Sequence, residues 1–172
     1  MMRIVYYMSC YPLRTTTFIQ REIVALRLRG HDIVTVANRK PRPCEFHPED
    51  EPEVHSTTYL SRIFPLRAAI CHLITFVRNP ARYVYAAAMV VMLSRWRLRQ
   101  AGRNFKYFLF APLLSMVYAK HNAHLLHVHF ALGAAGAALF RRFIDRGGYS
   151  VSIHGSDVLL PRDLTREKLC HS

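Results

Sequence analysis

The segment "SVSIHGSDVLLPRD", residues 150–163, places an imidazole and a carboxylate in a polar turn directly after an apolar strand. His154 and Asp157 carry these groups, with Gly155 and Ser156 between them. A neutral imidazole both donates and accepts a hydrogen bond, and a carboxylate accepts several. Such a turn can bind a ligand rich in hydroxyls or phosphates; alternatively, Asp157 only caps the turn.

Two further predicted strands end in polar residues, in "MSCYPLRTTTF" (residues 8–18) and "HVHFALG" (residues 127–133). The carboxyl ends of neighbouring parallel strands share one edge of the sheet, where ligands bind. Glu22, on the helix that follows the threonines, either faces this edge or only complements the helix dipole. His129 either serves the site or bonds to backbone. We therefore expect one crevice that collects Thr15, Thr16, Thr17, His129, His154, Ser156 and Asp157.

The histidine-rich segment "HNAHLLHVH" raises the question of a metal site. His121 and His124 end a predicted helix, whereas His127 and His129 lie on a predicted strand, so the spacing does not bring the four together. The four cysteines are scattered without a Cys-x-x-Cys pair, which favours buried thiols over a disulfide framework or a zinc knuckle. The sequence therefore predicts no metal and no other cofactor.

The elements that would position these residues begin with a βαβ unit. "RIVYYM" (residues 3–8) is a short β-rich run, and apolar residues recur at helical spacing from Thr17 to a stop at Gly30. "DIVTVAN" (residues 32–38) is a second buried strand. This order predicts two parallel strands with a right-handed crossover.

The remainder alternates in the same way. A proline-rich loop (39–55) leads to a short strand in "STTYL", and residues 64–121 predict helices broken near Asn79-Pro80 and Ala101-Gly102. A strand (125–130), a helix (131–146) that stops at Gly147-Gly148, and a last strand (149–153) follow. The sequence predicts a single α/β domain, a Rossmann-like open parallel sheet with helices on both faces.

The charge distribution predicts an anionic partner. The net charge is +13, and residues 54–144 contain no Asp or Glu. The basic side chains there are interleaved with apolar ones, which favours contact with an anionic membrane surface; the alternative is an ordinary solvated helix face. Nucleic acid is not predicted because no recognised motif accompanies the charge. The residues assigned to the membrane surface are Arg95, Arg97, Arg99, Arg103 and Lys106.

Several other classes of protein are disfavoured. The longest uncharged apolar run, residues 83–93, is shorter than the roughly 20 residues of a bilayer-spanning helix. The first residues do not resemble a signal peptide, so we expect a cytoplasmic protein, peripheral on the inner face of the cell membrane. The chain contains no Gly-x-Gly-x-x-Gly or Gly-x4-Gly-Lys-Ser/Thr phosphate loop and no Gly-x-Ser-x-Gly elbow.

Three segments resemble the N-terminal half of bacterial family 4 glycosyltransferases of the exopolysaccharide and colanic-acid type. They are "IVYYMSCYPLRTTTFIQREIVALRLRGHDIVTVANRK", "LLHVHFALGAAGAAL" and "SVSIHGSDVL", in the family's order and spacing. Thr16 departs from the acidic residue usual at its position. The resemblance implies a two-domain GT-B enzyme that transfers a sugar from a nucleotide donor, with retention and without a metal, to a lipid-linked or saccharide acceptor.

The resemblance also implies roles for individual residues. His154 would lie near the hydroxyls or phosphate of the donor sugar, Asp157 would fix the turn or bond a sugar hydroxyl, and the loop through Thr17 would lie near the donor phosphates. Residues 1–172 would form the acceptor-side domain, and the nucleotide-binding half would be absent or supplied by a separate chain. We therefore expect a chain that is truncated at its C-terminal end and incomplete as an enzyme alone; the alternative is a non-catalytic membrane-surface or partner-binding remnant.

Overall fold

The computed structural model describes residues 1–63, 65–94, 97–131 and 133–155, in which five strands form one sheet. All neighbouring strands pair in parallel. Numbered β1 to β5 along the chain, they lie side by side in the order β3-β2-β1-β4-β5. This is the predicted open, Rossmann-like α/β sheet. The strands are β1 (Arg3–Cys10), β2 (Asp32–Arg39), β3 (Thr58–Tyr59), β4 (Leu125–His129) and β5 (Ser150–Ser152).

Helices lie on both faces of this sheet, as predicted. Val5 and Tyr7 of β1 pack with the helices at 98–120 and 134–145, whereas Ile4, Tyr6 and Met8 pack with the helices at 17–28 and 51–56. Period-two alternation along β1 therefore divides the core into two layers. The helices are α1 (Thr17–Leu28), α2 (Glu51–Ser56), α3 (Pro65–Arg78), α4 (Pro80–Met92), α5 (Leu98–Lys120) and α6 (Ala134–Asp145).

The predicted helix break at Asn79-Pro80 is confirmed, and the one at Ala101-Gly102 is wrong. Asn79 caps α4 by accepting a hydrogen bond from the Arg82 backbone N–H. Helix α5 runs unbroken through Gly102, and the preceding helix α4 ends at Met92. A helical glycine costs only about 1 kcal/mol relative to alanine, which the burial of nine α5 side chains offsets.

Two smaller boundaries also differ from expectation. The predicted loop 39–55 contains α2, where Pro52 is compatible with the first helical turn and Glu51 and Glu53 complement the helix dipole. Helix α6 ends at Asp145, before the predicted glycine stop, because Arg146 adopts a left-handed conformation (φ 61°). Neither difference moves the strand ends that carry the candidate site.

Candidate functional site

The site lies beside the point where the strand order reverses. β1 is followed in the chain by β2 and β3 on one side, and β4 and β5 lie on the other, so the switch point at which open α/β sheets bind ligands lies at the carboxyl ends of β1 and β4. Gly133, just before α6, borders it with φ +72°, and a Cβ there would lie 2.4 Å from Ser9 Oγ. The positive φ favours glycine at this position, because residues with a side chain rarely adopt it.

Strand β4 separates core residues from polar ones. Leu126 and Val128 are fully buried in the layer beneath α4, α5 and α6. His127 and His129 alternate with them and therefore point to the opposite face, toward α1. Both imidazoles contact the Tyr6 ring, with centroid separations of 4.9 and 5.2 Å.

His129 is the centre of this cluster and is 1% exposed. Its Nδ1 lies 3.2 Å from His154 Nε2, and its Nε2 lies 3.8 Å from a carboxylate oxygen of Glu22. That Nε2 is buried and has no hydrogen-bond partner within the described part of the chain. Burial, reinforced by His127 and His154, lowers the pKa of His129 to about 3, so the ring is neutral at physiological pH.

Helix α1 brings Glu22 to the histidines. Tyr6 donates a hydrogen bond of 2.6 Å to the other carboxylate oxygen of Glu22, which fixes the carboxylate beside His129. Burial and this bond to a carboxylate both raise the pKa of Tyr6. The Glu22 side chain is 43% exposed, so the cluster is accessible to solvent from this side.

His127 is held by the neighbouring strand. Its direct partner in the β4–β5 register is Ser150, whose hydroxyl lies 2.7 Å from His127 Nδ1. The Ser152 hydroxyl lies 3.1 Å from His127 Nε2. Burial lowers the pKa of His127, so this ring too favours its neutral form.

Aromatic side chains surround His154. The rings of Phe18 and Phe130 lie 4.9 and 4.6 Å from the His154 ring. Phe130 adopts φ 71°, a strained backbone conformation for a bulky residue. It occurs directly after His129, at the carboxyl end of β4, where it turns an aromatic ring into the cluster.

The structure brings His129 and His154 close together, as the sequence predicts, and it places Glu22, for which the sequence left two interpretations, beside His129. Gly155 is exposed beside His154, and Ser156 and Asp157 lie outside the described residues. Thr15 is exposed and Thr17 is half-buried in the first turn of α1. Thr16 is buried, and its hydroxyl donates to the Leu13 carbonyl at 3.0 Å, so it holds the turn before α1.

Sequence analysis missed His127, Tyr6 and Phe18 as members of this cluster. The alternation in "LHVH" places His127 on the same face as His129, so the signal was present. Tyr6 and Phe18 have the ordinary types and spacing of core residues. His124 lies at the opposite edge of the sheet, where its Nδ1 accepts the Arg3 backbone N–H at 3.0 Å.

The predicted membrane-surface residues belong to the other side of the molecule. Arg97, Arg99, Arg103 and Lys106 are exposed at the start of α5, and Arg95 lies outside the described residues. Exposed apolar side chains form a second feature there, on α3. Leu66, Ile70, Leu73, Ile74 and Val77, spaced along one helical stripe, are each 45–69% exposed.

Comparison with protein-family models, curated proteins and solved structures found no match. The fold defines the chain as an α/β protein with a Rossmann-like, all-parallel open sheet.

Proposed function

We propose that this chain is the acceptor-side domain of a retaining glycosyltransferase that uses a nucleotide-sugar donor in cell-envelope or exopolysaccharide synthesis. The observation that carries the proposal is the contact between His129 and His154 beside Glu22, at the carboxyl edge of the sheet. The resemblance of three segments to family 4 glycosyltransferases supplies the reaction class. The same cluster also suits recognition of a sugar on chemical grounds.

A saccharide presents hydroxyls that both donate and accept, together with apolar ring faces. Neutral imidazoles can both donate and accept, and the Glu22 carboxylate accepts from hydroxyls. The rings of Phe18 and Phe130 flank His154 and can pack against the apolar face of a sugar. In the proposed site, His154 contacts the donor sugar or its phosphate, and the segment through Thr15 and Thr17 borders the donor phosphates at the N-terminus of α1.

This domain supplies one wall of the proposed reaction site. The nucleotide and leaving diphosphate require the second half of the enzyme, because the resemblance places the residues that stabilise the charge of the leaving group in that half. Affinity of this chain alone for donor is therefore weak, and a sensitive test of binding is required.

Ligand titration followed by histidine ring NMR tests the proposal. Millimolar UDP-glucose and GDP-mannose, with EDTA present, serve as probes of a nucleotide sugar. At least one should shift the His129 and His154 signals, and His154→Ala should abolish the shift of His129 while the fold is retained. His55→Ala, on exposed α2, is the matched control and should leave the response unchanged.

Two results would overturn the assignment. Unchanged His129 and His154 signals in folded protein with every probe would remove the sugar site. An equal response in His154→Ala would remove His154 from it. In an assembly that also supplies the nucleotide-binding half, His154→Ala should abolish sugar transfer.

The exposed apolar stripe of α3 supports a second, compatible role: attachment to an anionic membrane surface. Its residues face solvent, whereas Cys71, on the side of α3 that packs against the core, is buried. A cleft lined by Arg78, Arg82 and Arg146, with Asp145 among its other lining residues, lies beside the end of this stripe. Apolar insertion combined with basic side chains is the usual basis of interfacial binding. No helix in the described ranges has the length and apolarity needed to cross a bilayer.

Cosedimentation with phosphatidylglycerol-containing vesicles tests this role. Leu73→Gln with Val77→Gln should weaken binding more than tenfold, because each apolar side chain contributes about 1–3 kcal/mol when buried. Val24→Gln with Leu28→Gln, exposed on α1, is the matched control and should retain binding. Equal binding to neutral vesicles, or equal loss in both double variants, would contradict attachment through α3.

A further inference from the structure

Three potential metal ligands converge at the cluster described above. One carboxylate oxygen of Glu22 and one ring nitrogen each of His127 and His129 all lie within 4.8 Å of one another. Ligands of tetrahedral Zn²⁺, with bonds of about 2.0–2.1 Å, are about 3.3 Å apart. Closing the side chains by about 1.5 Å or less would therefore bring them into coordination distance.

The unpaired nitrogen of His129 is the second, independent observation. His129 is 1% exposed, and its Nε2 lies 3.8 Å from Glu22 without a hydrogen-bond partner in the described ranges. Leaving a buried polar atom unpaired is costly. When Nδ1–H donates a hydrogen bond to His154 Nε2, 3.2 Å away, Nε2 keeps its lone pair on the side of Glu22. In this tautomer Nε2 is available to a metal ion.

Each candidate ligand also has an outer partner. Glu22 accepts from the Tyr6 hydroxyl at 2.6 Å, and His127 Nδ1 lies 2.7 Å from the Ser150 hydroxyl. His154 serves His129 in the same way. Such second interactions orient metal ligands and strengthen their donor atoms. The other ring nitrogen of His127, Nε2, lies 3.1 Å from the Ser152 hydroxyl, so His127 becomes a ligand by exchanging one of its two serine contacts for the metal.

We propose that Glu22, His127 and His129 form a site for Zn²⁺ or a divalent metal ion of similar ligand preference. Two imidazoles and a carboxylate suit such ions and leave a coordination position open. The exposed side of Glu22 provides the entry path. This site goes beyond the proposed sugar transfer, and neither proposal depends on the other.

The test is a Zn²⁺ titration of the metal-free full chain against a chromophoric chelator, without any sugar present. We expect one ion per chain, with affinity reduced at least tenfold in Glu22→Gln and in His127→Gln. Glu51→Gln is the matched control, because Glu51 and His55 form an exposed carboxylate–imidazole pair of the same 3.8 Å separation. That variant should bind as the unaltered chain does.

Co²⁺ provides a second readout of the ligands. A spectrum of nitrogen and oxygen coordination is expected, and thiolate charge-transfer bands would assign the ion to cysteines and overturn the site. Unchanged affinity in both Glu22→Gln and His127→Gln, or no binding in the micromolar range, would also overturn it. Both substitutions are at residues that are not fully buried, and circular dichroism verifies that each variant folds. Sugar titrations in EDTA are unaffected by either result, so failure of one proposal is distinguishable from failure of the other.

Discussion

The two faces of β4 differ in composition although they alternate along five residues. One face carries Leu126 and Val128, which are buried in an apolar layer, and the other carries His127 and His129 beside Tyr6 and Glu22. The first face gains stability by removing apolar area from water. The second keeps polar atoms at low exposure, including His129 Nε2, which has no hydrogen-bond partner among the described residues. A single strand thus contributes to the apolar core on one face and to the polar candidate site on the other.

Truncation of the apolar face should have the largest effect. Leu126→Ala should lower the free energy of unfolding by about 2–5 kcal/mol, because it leaves a cavity in the centre of the sheet. His127→Ala, one residue along on the partly exposed face, should lower it by less than about 1 kcal/mol. Urea denaturation compares the two, and equal losses would contradict the division between the faces.

The packing above the apolar face can be probed at Gly136 of α6. A Cβ there would lie 2.3 Å from the ring of buried Tyr107 on α5. Gly136→Ala should therefore destabilise the protein by about 1–3 kcal/mol. Gly102→Ala, in the same kind of helical backbone but with open space around it, should instead stabilise by up to about 1 kcal/mol. A gain in melting temperature for Gly136→Ala would contradict this prediction, because it would show that the α5–α6 contact can accommodate an additional methyl group.

The polar face should make stability depend on pH. The pKa of His129 is about 3, against an ordinary value of 6.5, so below pH 6.5 the unfolded chain takes up a proton that the folded chain does not. Stability should fall as the pH drops from about 6.5 toward 3, and His129 contributes up to about 1.4 kcal/mol per pH unit. Between pH 7 and pH 5, urea denaturation should show a smaller fall in the free energy of unfolding for His129→Leu than for the unaltered chain. If the free energy of unfolding falls equally with pH in both proteins, His129 does not contribute to the pH dependence of stability.

The smallest effect on stability should come from the most central polar residue. At pH 7.5, His129→Leu should change the free energy of unfolding by no more than about 1 kcal/mol, because the buried unpaired nitrogen is removed together with the bond to His154. Zn²⁺ binding and the response of His154 to nucleotide sugars should both be lost. A large destabilisation would indicate that the imidazole is primarily a structural group.

The succession of strands and most helices along the chain could be predicted because local signals agree with the tertiary structure. The β-rich runs of β1 and β2 and the Asn79-Pro80 helix start are of this kind. The helix break predicted at Gly102 was wrong because the low helix propensity of glycine has less effect than the burial that stabilises α5. The short helix α2 was not predicted because its segment is rich in proline, which is compatible with a helix only in the first turn.

The site could be predicted where it follows the backbone topology and not where it depends on side-chain packing. His129 and His154 come at strand ends, so a parallel sheet brings them near each other. Phe18 and Tyr6 look like core residues in sequence, and only the rotation of α1 about its axis places Phe18 against His154. The burial of the His129 Nε2 atom depends on the packing of three elements at once, so no local sequence pattern indicates it.

The distribution of charge gives the molecule an electric dipole. Residues 54–144 contain twelve basic and no acidic residues, whereas residues 1–53 contain eight basic and seven acidic ones. The first set includes α3, α4 and α5, and these pack on the face of the sheet opposite to α1 and α2. In the field near a negatively charged surface, such a dipole turns the molecule before any contact is made. Encounters would thus be oriented with the α3–α5 side leading, and the fraction that begin in this orientation would decrease as ionic strength rises.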